Sequence, residues 1–313
     1  MKSPAETRLT GKAVKIRRTR RSPRLGRRYF IFFLLVGPAL LLRLLTSVYP
    51  ILRTVYLSFF EVNLISHINQ FVGLQNFTQL ASDSTVRSIL SFTLVFVVAS
   101  TVLQLILGIA IANLLNARFM GRKIARTVNL IPWAIPIVVA ALTFRWMLDD
   151  QYGLVADWTY RISGWRPQLL IFPATAQLSV ILVNVWKNTP FMAIVLLAGL
   201  QSVPVELYEA AKIDGATPFQ RFRYITIPVS TPIIITLALF FVIWQLASLD
   251  LIYGMTQGGP GVATMVIAYR IFQRGMLWYD WGMASALSMV LILIVAAVGV
   301  LGLYLFKRYE VTL

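Results

Sequence analysis

Six long apolar stretches dominate the pattern of hydrophobic and polar positions along this 313-residue chain. Each reaches the length of about 20 residues that a helix needs to cross a bilayer. They do not alternate over about 10 positions, as strands of a lipid-facing barrel would. Because backbone N–H and C=O groups inside lipid must be satisfied within the segment, we predict an all-α protein with six membrane-spanning helices. The predicted spans are Phe30–Pro50, Ser88–Leu114, Val128–Leu148, Ala176–Leu200, Val229–Leu251 and Met283–Phe306.

The composition supports this class and argues against others. Apolar residues make up 58% of the chain and charged residues 13%, whereas soluble domains average about 45–50% and about 25%. Too few charges remain to cover a water-facing surface, which disfavours a soluble enzyme or a nucleic-acid-binding domain. The chain has no cysteine and a single histidine, His67, which excludes disulfides and clustered Cys or His metal sites. We therefore expect no metal, no cofactor and no nucleic-acid partner for this chain.

The distribution of Lys and Arg predicts the orientation in the membrane. Twenty of these residues lie on one side of the predicted spans and six on the other. Since cytoplasmic loops carry the excess of basic residues, both termini are predicted to be cytoplasmic, in a multi-pass cell-membrane protein. The net charge of +17 is then largely a topology signal. Residues 1–28 are predicted to form a disordered basic cytoplasmic tail, and residues 29–313 a transmembrane domain.

The loop 201–228 is predicted to form two short helices. Proline at the start of a helix, acids in its first turns and glycine after its last turn are favourable, and a threonine cap followed by proline starts another helix. The predicted limits are Pro204 and Asp214-Gly215 for the first helix, and Thr217-Pro218 and Pro228 for the second.

The first of these helices carries an unusual patch, Glu209-Ala210-Ala211. Two small residues allow close approach by another surface, and the acid beside them can accept from an Arg or Lys. In the second helix, Phe219 and Phe222 are three residues apart and share a face. The loop is therefore predicted to dock with another surface; the alternative is an ordinary amphipathic connector on the membrane.

The spacing of this loop resembles that of a known family. Glu209-Ala210-Ala211, Gly215, Ile225 and Ile227-Pro228 resemble the EAA loop of binding-protein-dependent ABC import permeases, with Ile227 in place of the usual Leu. Four flanking segments resemble the carbohydrate-uptake branch, nearest the first permease subunit of the maltose, trehalose and glycerol-phosphate group. These segments are 71–77, 186–191, 197–201 and 256–260.

The resemblance implies a permease with the ABC type I importer fold, which is not itself an enzyme. It implies a second permease subunit, two cytoplasmic ATPase subunits that hold ATP and Mg, and an extracytoplasmic sugar-binding protein. Independently, the chain contains no Gly-x-x-x-x-Gly-Lys-Ser/Thr phosphate loop. The residues assigned to ATPase coupling are Glu206, Glu209, Ala210, Ala211, Asp214, Gly215, Phe219 and Phe222.

Polar residues within the spans are candidates for substrate contact, because they are costly in lipid and usually face the bundle or a water-filled path. Asn184 and Asn188 share a helix face, and their amides suit sugar hydroxyls. The alternatives are hydrogen bonds between helices and, for the second group below, an aromatic belt at the membrane interface. The candidates are Asn184, Lys187, Asn188 and Thr189 in the fourth span, and Trp244, Gln245, Ser248 and Tyr253 in and after the fifth.

Two other functions remain open at this point. An ion-coupled secondary transporter of a small polar solute would carry acids deep in its spans, and only Asp250, at the edge of one, comes close. An intramembrane enzyme would need paired acids, a metal cluster or an activated nucleophile at membrane depth, and none is visible. The residues therefore favour an ATP-driven importer subunit.

Overall fold

The computed structural model describes residues 24–309 and is almost entirely helical. Of the predicted tail, residues 1–23 lie outside the described residues. Residues 24–28 are described and are helical. The backbone divides into two compact units, with the boundary between Leu52 and Arg53.

The first helix passes through Pro50 and continues beyond the boundary of the first unit at Leu52. Tyr49 N–H donates to the C=O of Leu44, five residues back, in a π-helical turn. The wider turn lets the helix continue past Pro50, which has no N–H to donate. The helix therefore runs from Tyr29 to Leu57, and the prediction that the first span ends at Pro50 is wrong. Its components are α1 (Arg24–Arg43), the π-helical turn (Leu44–Val48) and α2 (Tyr49–Leu57).

In the second unit, the end of α2 is followed by a β-hairpin that the sequence did not predict. Strands β1 (Phe60–Asn63) and β2 (Ile68–Phe71) pair antiparallel, and at four residues each they are too short to produce a clear alternating pattern. The helices that follow are α3 (Gln75–Ser82), α4 (Ser84–Asn116), α5 (Arg122–Asn129), α6 (Ile131–Ala134), α7 (Ile137–Met147), α8 (Leu154–Ser163), α9 (Pro173–Gln201), α10 (Val205–Ile213), α11 (Pro218–Arg221), α12 (Ile227–Leu246), α13 (Asp250–Met255), α14 (Ile267–Phe272) and α15 (Trp281–Tyr309).

The third predicted span is broken. In place of one helix over Val128–Leu148, α6 and α7 meet at an angle of 83°. Ile135 and Pro136 between them have extended backbone, with ψ of 132° and 135°. Proline disfavours the helical conformation of the residue before it and cannot donate to the preceding turn. The described residues thus contain five helices long enough to span, or six if the bent pair counts as one.

The fifth span also differs from its prediction. Ile227 N–H donates to the C=O of Phe222 in a second π-helical turn, so the helix passes through Pro228 instead of ending there. One helical stretch therefore runs from Pro218 to Leu246. The predicted end at Leu251 is wrong as well, because the chain breaks after Leu246 and resumes as α13. The second, fourth and sixth predicted spans lie within α4, α9 and α15 and are confirmed.

The core lies where α4 packs against α9, joined by α12, α13 and α14. Phe96, Val180 and Ile267 are among its almost fully buried residues. The faces turned away from this core are apolar as well, as Leu94 and Leu293 illustrate. An apolar face of this extent is stable in lipid and costly in water.

Candidate coupling loop and intramembrane polar cluster

The EAA loop (residues 201–228) leaves α9 through Pro204 and forms α10 as predicted. Pro204 is the N-cap, and Asp214 is the C-cap. Gly215 follows with φ of +77°, a left-handed conformation that glycine adopts without steric cost. The fold therefore confirms both predicted limits of the first helix.

A capping box fixes the start of α11, after a link of four residues from the end of α10. Thr217 Oγ1 accepts from Gln220 N–H at 3.3 Å, and Gln220 Oε1 accepts from Thr217 N–H at 2.7 Å. This reciprocal pair satisfies two backbone donors that have no partner within the helix. A bond of 2.9 Å between the hydroxyls of Tyr208 and Thr226 links α10 to the start of the fifth span. The loop is thus braced by a bond from the middle of α10 to the start of the fifth span.

The outer face of α10 has few contacts within the described residues. Glu206, Glu209 and Ala210 are exposed, and Ala211 is half-buried. Asp214, Gly215 and Phe219 are exposed too, whereas Phe222 is half-buried and lines a shallow recess with Ile106 and Ile109 of α4. The two phenylalanines therefore differ in exposure, although they were predicted to share a face.

Inside the bundle, buried amides connect three helices. Asn184 Nδ2 on α9 donates to Gln245 Oε1 on α12 at 2.7 Å, and Asn188 Nδ2 donates to Asn184 Oδ1 at 2.8 Å. Gln245 Nε2 donates to Thr101 Oγ1 on α4 at 2.8 Å. Gln104 Nε2, also on α4, donates to the C=O of Asn184 at 3.1 Å. We call these five residues the amide cluster; its geometry supports the alternative of hydrogen bonding between helices.

The other two candidates on α9 are buried and bonded to main-chain carbonyls. Lys187 Nζ donates to the C=O of Trp133 at 2.7 Å, one residue before the end of α6. Thr189 Oγ1 donates to the C=O of Val185 at 2.7 Å. The break in the third span leaves helical carbonyls without their usual donors, and the ammonium of Lys187 supplies one.

Trp244 precedes Gln245 of the amide cluster in the sequence and occupies a more open position. Trp244 is exposed and packs against Phe240, with 5.7 Å between ring centroids. Phe240 in turn contacts Phe241, and Phe241 contacts Phe191. Ser248 and Tyr253 lie apart from this row. Ser248 follows α12, and Tyr253 on α13 packs against Tyr269 and Phe272.

Sequence reasoning missed Thr101 and Gln104 as partners of the candidate residues. Their spacing of three places both on one face of α4, which was a usable signal. It missed Trp133 entirely, because a main-chain carbonyl leaves no mark in the sequence.

Comparison with known proteins agrees with this architecture. The family described as "Binding-protein-dependent transport system inner membrane component" matches residues 104–311. The trehalose/maltose transport system permease protein MalF of Thermococcus litoralis is 37% identical over 264 residues, or 84% of this chain and 89% of that protein. The sulfoquinovosyl glycerol transport system permease protein SmoG of Agrobacterium fabrum is 37% identical over 82% of this chain and 84% of that protein. A chain of a bacterial alginate ABC transporter crystal structure superposes with a TM-score of 0.81 at 22% identity, covering 92% of this chain and 98% of that one.

The fold is therefore that of an ABC importer permease, a transport component and not an enzyme. The chain belongs to the family of inner membrane components of binding-protein-dependent transport systems. The EAA loop is the pattern expected of such a protein. Nothing in these comparisons supports the ion-coupled alternative.

Proposed function

We propose that this chain forms half of the membrane path of an ATP-driven importer for a sugar or a sugar-like solute. The other half is a second permease subunit, and an extracytoplasmic sugar-binding protein delivers the solute. Two cytoplasmic ATPase subunits hold ATP and Mg and drive the cycle. Two relatives named for trehalose/maltose and sulfoquinovosyl glycerol transport support this substrate class.

The proposed orientation places both termini and the EAA loop in the cytoplasm. Its support is the excess of Lys and Arg on that side, 20 against 6. Residues 1–28 are then a cytoplasmic tail, and residues 29–313 form the permease domain.

The observation that carries the proposal is the exposed outer face of α10 on a braced loop. α10 follows α9 after three residues, and α9 carries Asn184 and Asn188. A push on the Glu209-Ala210-Ala211 patch is therefore transmitted through this short link and along α9 to the amide cluster. The ATPase subunits dock on this patch, with the acid of Glu209 facing a basic side chain.

The test replaces Glu209 with Lys, or Gly215 with Asp, in the assembled complex. Glu209→Lys reverses the charge at the docking patch, and Gly215→Asp forces a side chain into the left-handed position. We expect normal insertion of the permease but loss of ATPase subunits in co-purification, and loss of uptake. Glu61→Lys on β1, with the same change of charge outside the loop, is the control. Assembly and transport at the level of the parent protein in both EAA-loop variants would refute the coupling role.

We propose that substrate contacts come from the four more open candidates. Asn188 is half-buried, and its Oδ1 accepts no hydrogen bond within residues 24–309, which leaves an acceptor for a sugar hydroxyl. Trp244 offers an aromatic face. Ser248 and Tyr253 offer hydroxyls nearer the end of α12 and on α13. The buried candidates then position these groups; they are Asn184, Lys187, Thr189 and Gln245.

The substrate role is tested with Asn188→Leu. We expect weaker uptake with a raised apparent KM and unchanged assembly. The control is Asn113→Leu on α4, because Asn113 bonds only to the C=O of Ile109 in its own helix at 2.8 Å. An unchanged KM for Asn188→Leu would reject substrate contact at this residue.

A further inference from the structure

The segment from Arg118 to Ile131 presents a surface that the transport proposal does not use. Its apolar side chains point outward: Met120 is fully exposed, and Ile124, Val128 and Ile131 are each more than half exposed. The last three have the spacing of one helix face. Arg118 and Lys123 are exposed beside this row, and Arg122 is half-buried. We call the segment the basic-apolar foot.

The basic side chains of the foot have no acidic partner in the described part of the chain. Neither of the two ion pairs found there involves Arg118, Arg122 or Lys123. The sequence contains no Asp or Glu between Asp83 and Asp149. Arg126 differs from the other three, because its Nη2 donates to the C=O of Leu115 at 3.0 Å and so closes the end of α4. Three cations thus remain available for an external partner.

Stability of the helix does not account for these cations. Arg122 and Lys123 are in the first turn of α5, where the helix dipole favours acids and disfavours bases. The topology signal explains why the loop is basic, but it does not explain the exposed apolar row beside the basic residues.

Connectivity holds the foot at the bilayer surface. The apolar run of α4 continues to Leu115, and only residues 117–121 separate α4 from α5. Six extended steps reach at most about 20 Å. The next apolar segment begins at Ile131, so both ends of α5 are tied to membrane-embedded chain. A short helix with an apolar face and flanking bases is typical of segments that lie in the interface.

We propose that the basic-apolar foot binds the surface of an anionic lipid bilayer. Met120, Ile124 and Val128 enter the boundary between headgroups and acyl chains. Arg118, Arg122 and Lys123 bind headgroup phosphates. Lipid binding anchors the bend between α6 and α7. This proposal depends on neither the substrate nor the ATPase docking proposed above.

The chain contains no cysteine, so Met120→Cys provides a single site for a polarity-sensitive fluorophore. The labelled complex is reconstituted in vesicles of pure phosphatidylcholine or of an equimolar mixture with phosphatidylglycerol. We expect a blue shift of the emission in the anionic vesicles that weakens with added salt. Inorganic phosphate added to the phosphatidylcholine vesicles is expected to produce no shift, which separates a lipid surface from a free anion.

The charge variant combines Arg118→Gln, Arg122→Gln and Lys123→Gln in the labelled chain. Each neutralised base is expected to weaken binding about fivefold, so the shift should largely disappear. The basic excess remains 17 against 6, which preserves the topology signal. If the triple variant does not assemble, Lys123→Gln alone is measured for the fivefold effect. The label control is Ile162→Cys in α8, exposed in the loop 149–175, which contains both acids and bases.

Equal emission in both kinds of vesicle would overturn the proposal. A shift that the Gln substitutions leave intact would overturn it too. A shift that disappears when the ATPase subunits are removed from the complex would assign the foot to a protein contact instead.

Discussion

The amide cluster permits a quantitative prediction. Asn184→Leu removes the bond of 2.7 Å to Gln245 and the bond of 2.8 Å from Asn188. Gln245 is 1% exposed, so water cannot replace the lost partner of its Oε1. Hydrogen bonds between membrane helices contribute about 0.6 kcal/mol on average and at most about 1.7, and leaving a buried polar group without a partner costs about 1–3 kcal/mol. We therefore expect Asn184→Leu to destabilise the folded protein by about 1–3 kcal/mol.

A double-mutant cycle with Gln245→Leu separates this bond from general packing effects. Each single variant leaves one buried amide without its partner, whereas the double variant removes both amides. The double variant should therefore lose less than the sum of the two single losses, by about 1–2 kcal/mol. The assay is unfolding of the purified protein in mixed micelles of increasing denaturing detergent, followed by tryptophan fluorescence. Asn113→Leu is the matched control, since its hydrogen bond stays within one helix.

Additive losses would refute the description of these residues as one cluster. An unchanged unfolding midpoint in Asn184→Leu with a raised KM would instead assign Asn184 to direct substrate contact.

Two further predictions concern packing and pH. A Cβ added at Gly254 would lie 2.7 Å from Cβ of Ala141, so Gly254→Val should separate α13 from α7 and cost about 1–3 kcal/mol. Gly299→Ala, with open space around its Cβ position, should not lower the unfolding midpoint, because alanine also favours the helix. Burial raises the pKa of Asp83, but hydrogen bonds from Thr85 and Val86 and the charge of Arg270 outweigh this effect, so the pKa lies below its ordinary value of 3.8. The stabilisation from this carboxylate is thus present above about pH 4 and is lost as pH falls further; Asp83→Ala should be less stable by about 1 kcal/mol at pH 7, and the difference should shrink at pH 3.

The spans were predictable because lipid imposes a simple requirement of length and hydrophobicity on each helix. Three of the errors involve proline, whereas the break of the fifth span after Leu246 does not. At Pro50 and Pro228 a π-helical turn absorbs the missing donor, and the helix continues. At Pro136 the backbone becomes extended and the span breaks. Proline removes the same N–H in each case, and the surrounding structure decides whether the chain bends.

The first helix of the EAA loop and the start of its second helix were predictable because these limits are local. Pro204, Gly215 and the pair Thr217-Pro218 act through their own backbone conformations and through hydrogen bonds three residues away. The amide cluster was only half predictable. The spacing on α9 paired Asn184 with Asn188, but the position of Gln245, 61 residues from Asn184, depends on how α12 packs.

By itself the sequence determined that the chain crosses a membrane, where its apolar segments lie and which loop has the coupling pattern. These properties depend on hydrophobicity and local backbone preferences, and both are set by individual residues and their near neighbours in the sequence. Only the tertiary structure decided that Lys187 donates a hydrogen bond to the carbonyl of Trp133 and that four amides and a hydroxyl form one cluster. A buried polar group must find a partner within reach, and which partner is within reach depends on how the helices pack.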